Sequence, residues 1–292
     1  MQHVLYKALV QITEADMTEF FTDLIEKSGF DEALIRHALE FSKNIDTDDF
    51  SCLFFDKDCY IDENTGFLYF EEAFYPYEFY EKLKSLPLVP ENASVYIYIL
   101  LLERSFHDFC SRIKDTNIFF DTAKKVSESA KEYYTDNGTY GLYDYHFIAN
   151  HVRGSILRIG GFEYQLGAFE GDKCILLHLP EQADLSRENR LLSYRLARRC
   201  FGNLPIMADS WLLFPEHKKM LSEDSRIVDF MNDFDIISTH ETCNYSELFH
   251  IFGRLSDFSY ENLPKETSLQ RAYAERVKNG MSIGSGIGKL KY

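Results

Sequence analysis

The sequence predicts an α+β protein in which a helical N-terminal domain precedes a mixed-sheet domain. Three observations predict the class. Apolar residues recur at helical spacing through the first half. The period then changes from 3.6 to 2 at Gly154, and beyond it strands alternate with helices. The chain of 292 residues is longer than the usual single domain. We therefore expect two domains, residues 1–140 and 141–292.

The elements follow in order. Thr13 and Asp16 form a capping-box-like start, Met17, Phe20, Phe21 and Leu24 recur at helical spacing, and Gly29 ends the segment. A second short helix fits Asp31–Phe41, with Leu34, Ile35, Ala38 and Leu39 on one face. The aromatic, acidic stretch that follows is broken by Asn64-Thr65-Gly66, which reads as a hairpin turn. Helices resume after Asn92, with Val95, Ile99, Leu102, Phe106, Phe109 and Ile113 in register. Another runs from Thr116 to Tyr134, and a last one from Leu142 to Val152.

Past Gly154, SILRI, FEYQLGAF and KCILLHL read as three consecutive strands joined by Gly160-Gly161 and Glu170-Gly171-Asp172. Phe162, Tyr164, Leu166 and Ala168 alternate with Glu163 and Gln165, the pattern of a half-buried antiparallel strand. A helix at Ser186–Phe201, the strand PIMADSWLLF, a helix near Glu216–Met231 and the strand FDIIS come next. YSELFHIFGRL suits either strand or helix. Thr267 and Gln270 make a capping box that opens a helix to Asn279.

Composition excludes several classes of function. The formal charge of −16 opposes a nucleic-acid backbone as partner. The longest apolar run, VYIYILLL, is far short of the ~20 residues that cross a bilayer. The start lacks the basic-then-apolar layout of a signal peptide. Cysteines at 52, 59, 110, 174, 200 and 243 form no CxxC pair and fit buried thiols in a reducing compartment. We thus expect a cytoplasmic protein with no membrane, nucleic-acid or metal partner; HxxH, HExxH and EF-hand patterns are absent.

The turn PEQADLS, between a core strand and an arginine-bearing helix, lies where α/β enzymes often hold a phosphate. It has no glycine, Glu181 and Asp184 would repel a diphosphate, and Ser186 reads as an N-cap occupying the free N–H groups. That argues against a conventional phosphate loop. The arginines that follow, Arg187 and Arg190 foremost, fit either a solvated helix face or a docking patch for a nucleotide-like cofactor. His178 stands near the carboxyl end of a core strand, where sheets commonly present chemistry. Ser210 stands on the next strand, without a GxSxG elbow. Glu163 and Arg158 suit a functional role or an exposed strand face. The tail Gly284-Ser285-Gly286-Ile287-Gly288 imitates a dinucleotide fingerprint, but no helix follows it. Close backbone approach remains, either in tight strand packing or in a ligand-facing loop.

The strings ILRIGGFEYQL, LLHLP, DSWLL, LSEDSRIVDF, LPKETSLQRA and GMSIGSGIGKL occur in that order. In them the chain resembles a bacterial acyltransferase family that joins a helical N-acyltransferase-type N-terminal domain to a GNAT-like C-terminal domain. The resemblance implies transfer of an acyl group from acyl-CoA or acetyl-CoA to an amine or similar nucleophile on a small-molecule acceptor. It also implies a loop R/Q-x-x-G-x-G/A where PEQADLS stands here, and an asparagine after Ser225 where this chain has Arg226. On this reading the catalytic candidates are Glu163, His178 and Ser210. The cofactor-binding candidates are Arg187, Arg190, Gly284 and Gly286. The alternative is a non-catalytic GNAT-like module that binds a ligand or protein and has lost the diphosphate loop.

Overall fold

The computed structural model describes residues 17–55, 60–69, 75–181, 183–242, 248–255, 257–281 and 283–292. Thr13 and Asp16, Cys59, Gln182 and the first part of YSELFHIFGRL, including Cys243 just before it, lie outside the described residues. Contacts divide the chain into two compact units, Met1–Leu157 and Arg158–Tyr292.

The first unit is helical. Its elements are α1 (Glu19–Ser28), α2 (Glu32–Ser42), α3 (Thr47–Phe55), a hairpin of β1 (Tyr60–Ile61) and β2 (Leu68–Tyr69), α4 (Tyr77–Lys84), α5 (Pro90–Arg112), α6 (Thr116–Asn137) and α7 (Tyr145–Arg153). Local chemistry sets the boundaries. Asp31 accepts from the Ala33 N–H and caps α2, Asp115 accepts from the Asn117 N–H and caps α6, and Pro90 opens α5 where its missing N–H costs nothing. The expected hairpin is present, its turn closed by Asp62, which accepts from both the N–H and the hydroxyl of Thr65. Helix α5 buries Val95, Ile97, Tyr98, Ile99, Leu101 and Leu102, more than one face, and is the spine of this core. Phe54, Phe79 and Tyr98 pack ring to ring on it.

Gly154, at φ 76°, ends α7 in the left-handed region, and the strands begin within two residues. The second unit carries the end of β3 (Ile156–Ile159), then β4 (Phe162–Phe169), β5 (Asp172–His178), α8 (Arg187–Phe201), β6 (Ile206–Ser210), α9 (His217–Met220), α10 (Arg226–Asn232), β7 (Phe234–Thr242), α11 (Phe249–Phe252), α12 (Ser268–Lys278) and β8 (Ile283–Leu290). The sheet order is β4-β5-β6-β8-β7, with β3 folded back on β4. All these pairings are antiparallel except β5 with β6. The class is α+β, as expected.

Three expectations are refined. The helix read near Glu216–Met231 is two short helices, because Ser222 and Ser225 close a turn between them. YSELFHIFGRL contributes a helical turn at Phe249–Phe252. The glycine-rich tail is a strand, inserted between β6 and β7. The capping box at Thr267 and Gln270 is formed with both of its hydrogen bonds.

Candidate functional site

Strand register gives the sheet of the second unit two unlike faces. Glu163 pairs with His178, Gln165 with Leu176 and, across to β6, Leu176 with Met207. Alternation then sets Glu163, Gln165, His178, Met207 and Asp209 on one face. Phe162, Tyr164, Leu166, Ile175, Leu177, Ile206 and Ala208 share the other. Helix α8 covers the apolar face: the Tyr164 hydroxyl donates to the Ser193 hydroxyl at 2.9 Å, which donates to the Ile159 carbonyl at 2.9 Å. The polar face is not the solvated surface that alternation suggested. Glu163 is 1% exposed and Gln165 7%. Their burial removes the exposed-face explanation of Glu163, and it brings in Gln165, which sequence reasoning passed over.

The parallel pair is where the sheet opens. The β5–β6 ladder holds only Ile175↔Ile206 and Leu176↔Met207, although β5 runs on to His178 and β6 to Ser210. On their outer sides both strands stay paired to the end, His178 with Glu163 and Ser210 with Gly286. Beyond the carboxyl end of that ladder the facing edges of β5 and β6 are therefore no longer paired to each other. Crevices of this kind, outside the carboxyl ends of parallel strands, are where α/β sheets take ligands. His178 is half-buried beside it. Glu163 accepts from Arg158 Nη2 at 3.0 Å.

Each remaining candidate has a definite place. Ser210 neighbours His178 by strand and lies at the same end of the sheet, but on the opposite face. Its hydroxyl accepts from the Leu212 N–H at 3.2 Å and caps the 3-10 turn Trp211–Leu213. The structure thus does not bring Ser210 and His178 together. Arg187 is exposed at the first position of α8. Arg190 is not on a solvated face, as an exposed helix position would require: it is 1% exposed. Its guanidinium donates to Asp233 at 2.7 Å, to Asp229 at 2.8 Å and to the Leu185 carbonyl at 2.6 Å.

Ser186 also departs from expectation. It occupies the N-cap position of α8 without capping it. Its N–H and hydroxyl donate instead to the two oxygens of Asp184, at 2.9 and 2.8 Å. Asp184 takes both because a carboxylate two residues back is the stronger acceptor in an Asx turn. Those hydrogen bonds, the backbone one first, hold the Asp184 carboxyl below the usual carboxylate range. The first-turn amides of α8 are left without a side-chain cap.

Gly284 and Gly286 lie in β8, where the backbone is closely packed. A Cβ on Gly286 would stand 2.5 Å from the Leu213 carbonyl oxygen, and one on Gly284 would stand 2.4 Å from the Phe214 ring. Gly286→Ala is expected to cost about 1–3 kcal/mol, because backbone rather than a flexible side chain must give way. Calorimetric unfolding checks this, and an unchanged melting temperature would mean that the 3-10 turn yields.

At the end of β6 the chain passes into a second apolar cluster: Leu248, Ile251, Phe252, Leu263, Tyr273 and Ala274, with Trp211 against it. His217 is buried there. Its Nε2 accepts from the Tyr273 hydroxyl at 2.6 Å, and its Nδ1 donates to the Leu212 carbonyl at 3.3 Å. Burial pushes its pKa down to about 4, so the ring is neutral near pH 7. Among the described residues no helix is long and apolar enough to cross a membrane, and no group of three or more His, Cys, Asp or Glu is placed to hold a metal ion.

A mixed sheet with one parallel pair opening at its carboxyl end, its last strand inserted between two earlier ones, defines an α+β domain of the GNAT-like type. The family described as GNAT-like C-terminal domain matches residues 99–290, more than half of the chain. The protein belongs to that family. Solved structures share the fold. An acyltransferase in complex with decanoyl-CoA and teicoplanin superposes with a TM-score of 0.69 at 19% identity, covering 92% of this chain and 86% of the other. A mutant acyltransferase in complex with octanoyl-CoA gives 0.69 at 19% identity, over 94% and 88%. An acyltransferase in complex with CoA and 10C-teicoplanin gives 0.62 at 21% identity, over 69% and 67%. No curated protein gives a match.

Proposed function

We propose that the protein is an acyl-CoA-dependent N-acyltransferase that moves an acyl group from the thioester to an amine of a small-molecule acceptor. The observation that carries this reading is the β5–β6 opening with His178 beside it on a buried polar face. Solved proteins of this fold that are complexed with octanoyl- and decanoyl-CoA support a donor of similar chain length.

The residues present fit such a donor. The open backbone edges of β5 and β6 suit the extended amide arm of CoA, and the uncapped first turn of α8 suits its diphosphate. Arg187 supplies a cation there. Arg190 is held instead by Asp229 and Asp233, and Gly284 and Gly286 pack closely against Phe214 and Leu213. CoA contributes an acyl carbon activated as a thioester. The chain contributes proximity, which is worth several kcal/mol, and proton transfer. The amine nitrogen bonds to the acyl carbon, the carbon–sulfur bond breaks, and the proton lost by the amine is taken by His178. Backbone N–H groups at the separated strand edges would stabilise the carbonyl oxygen as charge develops on it. Glu163, already paired with Arg158, is a poor base by comparison.

Incubation with octanoyl- or decanoyl-CoA and a panel of primary amines, read by thiol release and product mass, tests the reading. His178→Ala is expected to slow turnover by about 10²–10⁴-fold while leaving acyl-CoA affinity in place. Arg187→Glu is expected to weaken acyl-CoA binding about tenfold, since it replaces an attractive charge beside the diphosphate with a repulsive one. Tight acyl-CoA binding with no acceptor-dependent thiol release from any amine would favour the non-catalytic module instead.

A further inference from the structure

The polar face carries more charge than one proton transfer requires. Glu163 is 1% exposed and the Arg158 side chain 12%, yet the two meet as an ion pair at 3.0 Å. Replacing a buried ion pair with packed apolar residues is often neutral or stabilising, so the pair is not explained by stability. Its position is informative. Arg158 and Glu163 stand either side of the Gly160-Gly161 turn, and Glu163 is the direct cross-strand partner of His178, in the last pair of the β4–β5 ladder. Directly opposed residues have Cβ atoms about 4.5–5.5 Å apart on the same face, within reach of carboxylate and imidazole. A carboxylate has two oxygens and accepts from two donors at once.

We infer that Arg158 and Glu163 are a positioning pair for His178: Glu163 presents a carboxylate to the imidazole, and Arg158 holds that carboxylate in place. A base of this type needs one ring nitrogen fixed as donor so that the other keeps its lone pair toward the substrate. Glu163 supplies the acceptor that selects the tautomer. Arg158 fixes its rotamer and offsets its charge. Among the described residues of this unit, register also places Asp209 of β6, level with His178, and Lys289 of β8, farther along, on the same face, both exposed. The inference rests on the proposed acyl transfer only for the readout through turnover.

The two members of the pair act on His178 with opposite sign, and that makes the test specific. Removing the carboxylate disfavours the imidazolium, so Glu163→Gln is expected to move the acidic limb of the kcat/KM–pH profile down by about one unit. Removing the guanidinium leaves the carboxylate unopposed, so Arg158→Gln is expected to move it up by a similar amount. Arg158→Lys should restore most of the wild-type midpoint, and Arg158→Gln/Glu163→Gln should fall between the single variants. The double variant, with no lone buried charge, also serves if either single variant does not fold. The same order is expected in the NMR titration of the His178 ring, assigned with His178→Asn. Shifts in one direction for both single variants, or no shift with only a loss of stability, would overturn the inference. Opposite ring shifts without turnover in the wild type would support it and defeat the acyltransferase reading.

Discussion

Arg190→Ala is expected to lower the unfolding free energy by about 3–5 kcal/mol. The guanidinium is 1% exposed and is the main partner of Asp233, itself buried, while Asp229 takes a second bond from it. The Tyr194 and Tyr292 hydroxyls also donate to Asp233, at 3.2 and 2.5 Å, but neither carries a compensating charge. Truncation therefore leaves a carboxylate in the core with its cation gone, which costs far more than the pair contributes when intact. Arg190→Glu should be worse, because it adds a third negative group to Asp229 and Asp233. Urea unfolding measures the effect. A loss below about 0.5 kcal/mol is the result expected of a solvated helix position and would contradict this account.

The second large effect is a pH dependence traceable to His217. Its folded pKa lies near 4 and its ordinary value is 6.5, so between those limits the unfolded chain binds a proton that the folded chain does not. Stability contributed by keeping this ring neutral is complete above pH 6.5 and is lost as pH falls toward 4, about 3 kcal/mol in all. Below pH 4 both states are protonated and no further loss comes from this residue. His217→Gln, which does not titrate, is expected to be less stable than wild type at pH 7, because it disturbs the Tyr273 contact. The difference between the two proteins should shrink by about 3 kcal/mol between pH 7 and pH 4, read by denaturant unfolding at each pH. A constant difference would show that the ring titrates normally.

Much of this fold was legible because its signals are local. The change of period at Gly154, the Asn64-Thr65-Gly66 turn and the box at Thr267 and Gln270 each act within a few residues of themselves. What escaped depends on partners distant in sequence. Nothing near Arg190 announces that Asp233, 43 residues on, will bury it. Alternation along β4 correctly separated Glu163 and Gln165 from Tyr164 and Leu166, but alternation records which face a residue takes and not whether that face is covered. The glycines at 284, 286 and 288 pointed to close backbone approach, while the insertion of β8 between β6 and β7 follows from pairing that no local pattern encodes. At Ser186 one local signal outcompeted another: the residue type predicted a cap, but its hydroxyl turns to Asp184 two residues earlier instead of to the helix amides.

Within the site, His178 was visible from the sequence as a polar residue ending an apolar strand, and Ser210 as its neighbour on the following one. Register separates them. Ser210 faces away and caps its own turn, whereas Glu163, directly across the ladder, shares the face of His178. The chemistry proposed here therefore depends on the antiparallel partner of β5 for its charge and on the parallel partner for its opening.

Placement of acyl-CoA in the opening between β5 and β6, with its diphosphate on the first turn of α8, is checked by hydrogen–deuterium exchange with and without octanoyl-CoA. Exchange is expected to slow in the peptides spanning Leu176–Arg190 and Met207–Trp211, which carry the separated strand edges and the first turn of α8, without a side-chain cap. Arg187→Glu should weaken that protection at a given octanoyl-CoA concentration without moving it elsewhere. Protection confined to other segments of the chain, or none at saturating octanoyl-CoA, would contradict it.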